Sequence, residues 1–278
     1  MFHHSKLGTQ LACLAQSVSR LLCPLAVSRP VEPLLRYSIM YLESLHGNGA
    51  GKGWDIEGEV TAALKFNSSE NPVVIDVGSH CGSWSIKLRE RLGGRGRFYL
   101  FEAAPENARN ITAKLDGKHF QLVVKALSDT DGEAAFYFSP NASDVSSLHK
   151  RAETIFAGIT FKEMKVPTIR LDTWVKENAI TRIDYLKMDI EGHELCALQG
   201  ALESLERGVI ETLAFEFGGG NMNSRTFLKD FWELLTPLGF HFYRICPGGR
   251  LLSIPTYYED LEYFRAATNY IASRKPVG

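Results

Sequence analysis

Cysteine pairing, a membrane-length apolar run, a phosphate loop and a charge excess are all missing from this chain of 278 residues. Each absence removes a class of function. The five cysteines (Cys13, Cys23, Cys81, Cys196 and Cys246) are odd in number and scattered, with no C-x-x-C pair. That excludes a readable disulfide framework or zinc ribbon and points to a reducing, cytoplasmic compartment. The formal net charge of −1 gives no general pull toward nucleic acid, so no nucleic-acid partner is expected. From Met1 to Val31 there is no acidic residue, and Leu11 to Val27 is fairly apolar. Gln16, Arg20 and Pro24 interrupt it, leaving no stretch fit to span a bilayer, nor does it have the basic start and unbroken apolar core of a signal peptide. A helical appendage packing on the main domain is expected there, with a membrane-associated amphipathic helix as the alternative. His46-Gly47-Asn48-Gly49-Ala50-Gly51-Lys52-Gly53 fails the phosphate-loop spacing, since no Ser or Thr follows the lysine and no strand precedes it. It reads as a flexible connector, placing an appendage and linker at 1–53 and the main domain at 54–278.

What the chain does have begins at Asp76-Val77-Gly78-Ser79-His80-Cys81-Gly82, which follows Val73-Val74-Ile75 and precedes a helical pattern from Ser83. A buried strand, a glycine turn and a helix start make a cofactor pocket at the carboxyl edge of an α/β sheet. Gly78 and Gly82 let backbone approach a ligand, and Asp76 places a carboxylate at the strand end. The spacing is D-x-G-x-x-x-G, not the G-x-G-x-x-G that seats a dinucleotide pyrophosphate. S-adenosylmethionine is the cofactor that spacing favours.

Strand and helix then alternate: strands over 73–77, 97–102 and 121–125, with helices over about 83–92 and 105–115. Such alternation predicts a doubly wound, Rossmann-like, mostly parallel α/β sheet. Extra strands are expected over 133–138 and 165–170, flanking a serine-rich insertion, 139–163, of the kind that forms lids and binding loops. A strand over 185–189, a helix over 194–206 and a strand over 212–217 resume the rhythm. A helix near 226–235 and an antiparallel hairpin, 241–246 with 251–254, close the chain.

Carboxylates fall at the strand ends, where this architecture binds ligands. Glu102 lies about twenty residues beyond Gly82, where an acid can accept both hydroxyls of a ribose. Asp189-Ile190-Glu191-Gly192-His193-Glu194 follows one strand and Glu216 ends another. Ionisable groups so placed are costly to bury without a purpose, and Asp189 and His193 are the favoured functional pair. First-turn acids such as Glu194 are also ordinary helix-start charges.

These segments resemble, in order, the FkbM-type methyltransferases: Val74–Gly82, Phe101–Asn107, Ala126-Leu127-Ser128-Asp129, Leu171-Asp172 and Lys187–Glu194. The resemblance spans roughly 54–254, and its most specific part is Asp-x-Glu-Gly-His-Glu. It implies a class I S-adenosylmethionine-dependent O-methyltransferase acting on sugar, glycolipid or natural-product hydroxyls. It also implies a cofactor site including Asp76, Gly78, His80, Gly82, Glu102, Ser128 and Asp129. His80 departs from the Asn more common in the family. Methyl transfer to an aliphatic hydroxyl needs a general base. His193, with an ordinary pKa near 6.5, suits that task, and Asp189 or Glu191 could serve instead or orient the histidine. A second route has Asp189 and Glu216 hold a divalent cation that acidifies the hydroxyl. The 139–163 insertion is expected to cover and select the acceptor. A nucleotide-dependent oxidoreductase and a non-catalytic module on the same fold remain as alternatives.

Overall fold

The computed structural model describes residues 6–49, 55–67, 69–115, 119–151 and 158–277. It divides into two compact units, Met1–Leu45 and His46–Gly278. The first contains helices Lys6–Ala26 and Glu32–Leu45. Among the described residues no helix is long and apolar enough to cross a membrane.

In the second unit the strands, in chain order, are β1 (Val73–Val77), β2 (Arg97–Phe101), β3 (Phe120–Val123), β4 (Ala126–Leu127), β5 (Gly132–Phe138) and β6 (Lys162–Ile169). They continue with β7 (Tyr185–Met188), β8 (Thr212–Gly218), β9 (His241–Cys246), β10 (Arg250–Ile254) and β11 (Ala267–Ser273). The main sheet runs β10-β9-β11-β8-β7-β1-β2-β3. From β8 to β3 neighbouring strands are parallel, and β11, β9 and β10 are antiparallel additions. All five β1 residues are buried, which explains the consecutive apolar residues Val73-Val74-Ile75 where a half-exposed strand would alternate.

Each sheet face carries its own core. On one, helices Ile56–Leu64 and Ser83–Arg91 bring Val60, Ala63, Trp84 and Leu88 against Val74, Leu100 and Tyr185. On the other, helices Leu171–Glu177 and Leu228–Leu235 bring Trp174 and Phe231 against Tyr99, Phe101 and Phe215. Trp174 meets Phe101 edge-on at 5.2 Å and Phe231 stacks on Phe215 at 4.4 Å between ring centroids.

Several sequence expectations are corrected. The residues expected as extra strands join β4 in a separate sheet, order β4-β6-β5. The chain closes with three strands, because β11 inserts between β8 and β9; its Tyr270 stacks on Phe215 at 5.8 Å. The helix expected over 194–206 is two, Glu194–Gln199 and Leu202–Glu206. Between them Gly200 lies so near β4's exit that an added Cβ would be 2.0 Å from the Ser128 carbonyl oxygen. The connector is not free where it is described: the Gly49 N–H donates to Thr268 Oγ1 at 3.1 Å. Its remaining residues, 50–53, lie outside the described residues.

The turn after β1 is fixed by backbone contact. Gly78 has φ +75°, and a Cβ there would stand 2.0 Å from the Asp189 carbonyl oxygen. Gly208 has φ +69° with nothing within 4 Å, so it isolates the cost of the left-handed conformation alone. Gly78→Ala is expected to lower the melting temperature by ~10 °C, from strain plus overlap of about 3 kcal/mol together. Gly208→Ala should lower it by less than half as much; equal shifts in the two thermal melts would contradict the close-approach argument.

Candidate active site

A cleft of ≈ 550 Å³ opens at the carboxyl ends of β1, β2 and β7. Crossing from β1 to β2, the chain turns at Gly78 and His80, and Glu102 stands at the end of β2. The Glu102 carboxylate organises this side. Its Oε2 accepts the His80 N–H at 2.9 Å and its Oε1 accepts the Ala104 N–H at 2.8 Å. His80 adopts φ 50°, and its Nε2 shares a hydrogen bond with Ser143 Oγ at 2.9 Å. Burial pushes the Glu102 carboxyl up to about 7, against the lowering effect of those N–H groups and of Asn107. The two N–H groups and Asn107 take up much of the acceptor capacity of the carboxylate, and Glu102 and Asn107 both line the cleft.

Asp76 lies behind the cleft. Its Oδ2 accepts the Ser85 hydroxyl at 2.7 Å, tying β1 to the helix that follows the turn. Its Oδ1 faces the Lys187 ammonium at 3.9 Å. Lys187 Nζ also donates to Asp189 Oδ2 at 3.1 Å and lies 5.8 Å from the Trp84 ring centre. Flanking carboxylates hold the ammonium well above its ordinary range despite burial. Asp189 is thereby fixed by one oxygen, while its side chain stays 41% exposed toward solvent and cleft.

Asp189, Glu191 and Glu216 bring carboxylate oxygens within 4.8 Å of one another. Glu191, at φ 55°, is held by Arg151 in a hydrogen-bonded ion pair, and its carbonyl accepts the Ser147 hydroxyl at 3.0 Å. Burial raises Glu191 to about 7 and, with the neighbouring acids, raises Glu216 as well. Glu194 Oε1 caps the turn by accepting the N–H groups of Ile190 (2.9 Å) and Gly192 (3.3 Å), and burial pushes it up to about 8.

His193 departs from its expected pKa near 6.5. Burial and the adjacent His149 bring it down to about 4. Both ring nitrogens are engaged, Nε2 with Ser128 Oγ and Nδ1 with His149 Nε2, each at 3.1 Å. Ser128 in turn donates to Asp129 Oδ1 at 3.1 Å. The imidazole therefore has no free lone pair for an incoming proton. It pins the insertion to the turn after β7.

Of the residues singled out in the sequence, Gly78, His80, Glu102, Asp189 and His193 line this cleft. Asp76, Gly82, Ser128, Asp129 and Glu191 do not reach its wall. Gly82 packs toward Leu100 and Leu115, Ser128 and Asp129 stand behind His193, and Glu191 turns to Arg151. The insertion supplies Ser143, Asp144 and Ser146–Leu148 to the same wall; its residues 152–157 lie outside the described residues. Lys187, His149 and Arg151 were not legible as site residues. Only Lys187 left a signal, a lone charge within Tyr-Leu-Lys-Met.

Comparison with known proteins gives consistent neighbours. Residues 76–242, more than half of the chain, match the methyltransferase FkbM domain. The chain is 27% identical over 164 residues to the hexuronic acid methyltransferase AglP of Haloferax volcanii, covering 56% of this chain and 63% of that protein. It is 27% identical over 149 residues to the 2-O-methyltransferase NoeI of Sinorhizobium fredii, covering 49% and 60%. It thus spans about three-fifths of the length of both relatives. Among solved structures, the FkbM methyltransferase from Methylobacillus flagellatus KT is 16% identical with a TM-score of 0.46, covering 76% of this chain and 47% of that one.

The raised carboxyls set a pH dependence. Glu194 has a folded pKa of about 8 against an ordinary 4.5. A raised folded pKa contributes stability that is full below the unfolded value and lost as pH rises through the folded one. Melting temperature should therefore fall between pH 5 and pH 9, by ~5 °C or more, as Glu59, Glu102 and Glu191, each raised to about 7, act in the same direction. In Glu194→Gln the pH 7–9 part of that fall should shrink in differential scanning calorimetry. An unchanged slope would mean that Glu194 is not buried as described.

Proposed function

The chain belongs to the FkbM methyltransferase family, and we propose that it transfers the methyl group of S-adenosylmethionine to a hydroxyl of a sugar or related small molecule. The observation that carries this reading is Glu102, a buried carboxylate at the end of β2 that lines the cleft beside the Gly78 turn. That is the arrangement that accepts the two hydroxyls of a ribose. The Gly78 turn, kept free of a Cβ, and the insertion's Ser143–Leu148 wall complete a cradle for a nucleoside. When bound, the cofactor supplies an electrophilic methyl on a sulfonium centre.

Asp189 is the group we assign as general base. It stands at the far wall of the cleft, partly exposed, with its carboxylate oriented by Lys187. His193 lacks a free nitrogen and Glu191 is committed to Arg151, so both act as positioning residues. An Asp189 oxygen would take the hydroxyl proton as the methyl group moves from sulfur to oxygen, the cofactor leaving as its neutral thioether. Alignment by the surrounding walls supplies the rest of the acceleration.

The carboxylate group Asp189, Glu191 and Glu216 also bears on a divalent cation. Two cations already face it, Lys187 at Asp189 and Arg151 at Glu191. They oppose a further divalent charge at that spot, so we read Asp189 and Glu191 as partners of these cations rather than as Mg²⁺ ligands. Turnover is accordingly expected to survive EDTA; its abolition, with recovery on added Mg²⁺, would restore the cation route.

A screen with labelled S-adenosylmethionine against sugars and glycolipids tests the whole reading. Asp189→Asn should lower kcat by about 10²–10⁴-fold with S-adenosylhomocysteine affinity retained. His193→Ala should leave transfer measurable and act mainly on alignment of the insertion. Tight binding of NAD(H) with none of S-adenosylhomocysteine would overturn the proposal.

A further inference from the structure

The first compact unit, Met1–Leu45, taken by itself, has two helices and no core. No residue from 15 to 45 is buried. Leu21 is 80% exposed in helix Lys6–Ala26, and Leu34 is 66% exposed in helix Glu32–Leu45. Val18, Leu22 and Leu25 are exposed beside the one, and Tyr41, Leu42 and Leu45 beside the other. Most of the exposed large apolar side chains among the described residues lie in these two helices and the turn between them. Helices of this length hold little structure in water unless an apolar face is covered. Apolar surface gathered in this way marks an interaction site.

The sequence sorts that surface into faces. Val18, Leu21, Leu22 and Leu25 recur at intervals of three and four, so they form one stripe along the first helix. Gln16 and Arg20 fall on the opposite side of it. In the second helix Leu34, Tyr41 and Leu45 are seven and four residues apart and share one side. Glu32, Arg36 and Glu43, the charged residues of that helix, line up on the other side, where Arg36 meets Glu32 at 3.8 Å. Leu35 and Leu42 widen the apolar face on one flank and Tyr37 on the other. A face that broad exceeds the narrow a/d seam of a helix pair.

Charge selects what covers it. No acidic residue occurs from Met1 to Val31, while Lys6, Arg20 and Arg29 do. Arg20 lies on the polar side of the first helix and Arg29 in the turn before the second. Two copies meeting through this stretch would bring like charges together, whereas anionic headgroups would attract them. Tyr37 and Tyr41 carry an apolar ring with a polar tip, the residue type enriched where hydrocarbon meets water. Among the described residues no helix is fit to cross a bilayer, so the geometry is that of helices lying in its surface. We propose that Met1–Leu45 is a docking unit for an anionic lipid bilayer. Its apolar faces enter the boundary of the acyl chains, and Arg20 and Arg29 meet lipid phosphates. The proposal concerns binding alone and does not depend on the methyltransferase reading.

The test is flotation of the full chain with vesicles on a density gradient, where aggregated protein sinks and lipid-bound protein rises. One set of vesicles is phosphatidylcholine alone; the other is equal parts phosphatidylcholine and phosphatidylglycerol. The chain should rise with the anionic vesicles, with a partition coefficient at least tenfold above that for the neutral ones. Raising NaCl to about 0.5 M should narrow that ratio, since the headgroup attraction is screened. Leu21→Glu combined with Leu34→Glu should lower partition onto the anionic vesicles by tenfold or more. Arg20→Glu combined with Arg29→Glu should bring it down to the neutral-vesicle value, at roughly fivefold for each positive charge lost near the surface. Neither double variant should change the melting temperature of the second unit. The proposal is overturned if the wild-type chain stays off the anionic vesicles or partitions equally onto both sets. It also falls if the leucine variant partitions as wild type or lowers the melting temperature of the second unit. Light scattering that finds an oligomer in the wild type and a monomer in the leucine variant would overturn it in favour of a second copy of the chain.

Discussion

A buried ammonium between two carboxylates organises the carboxyl edge of this sheet. Lys187 sits in a strand whose neighbours, Leu186 and Met188, are core residues. An isolated charge there would be expelled or neutralised. It persists because Asp76 faces it from β1 and Asp189 takes its hydrogen bond at the end of β7. Asp76 in turn holds Ser85 at the start of the next helix. One ammonium thus joins two adjacent strands, a helix and the carboxylate placed nearest the chemistry. Removing either acid leaves the charge uncompensated, so the pair reads as a register device for the site and not as a source of stability.

The cleft and a small recess beside it follow from that arrangement. Backbone contact between Gly78 and Asp189 closes the β1 turn onto the β7 exit and fixes where the cofactor cleft ends. Asp189, oriented by Lys187, forms the partition. On one side Glu102 and the insertion line the cleft proposed for the cofactor; on the other Glu59, Tyr185, Glu216 and Asn269 line a small polar recess. The insertion is fastened where it meets the site, through Ser143 to His80, Ser147 and Arg151 to Glu191, and His149 to His193. Those contacts explain why the Asp-x-Glu-Gly-His-Glu element is dense in ionisable residues. Asp189 lines the cleft, Glu191 and His193 bond to the insertion, and Glu194 caps the turn.

Much of this was legible in the sequence because it depends on local pattern. Apolar runs such as Val73-Val74-Ile75 mark strands buried on both faces, and glycine spacing marks the turn that follows. Asp189 and Glu102 could be placed at strand ends, and both line the cleft. Roles that depend on long-range contact could not. That Ser128 and His149 bond both ring nitrogens of His193, and that Lys187 faces Asp76, is visible only in the fold. The strand Ala267–Ser273 went unseen because its small and polar residues gain their register only from β8 and β9.

The central claim is that one cleft holds the methyl donor with Asp189 at its far wall. A crystal structure of the full chain with S-adenosylhomocysteine tests it most directly. The ribose hydroxyls should lie on the Glu102 carboxylate, with the sulfur directed toward Asp189. Ligand density elsewhere on the sheet edge, or a sulfur turned away from Asp189, would contradict the account.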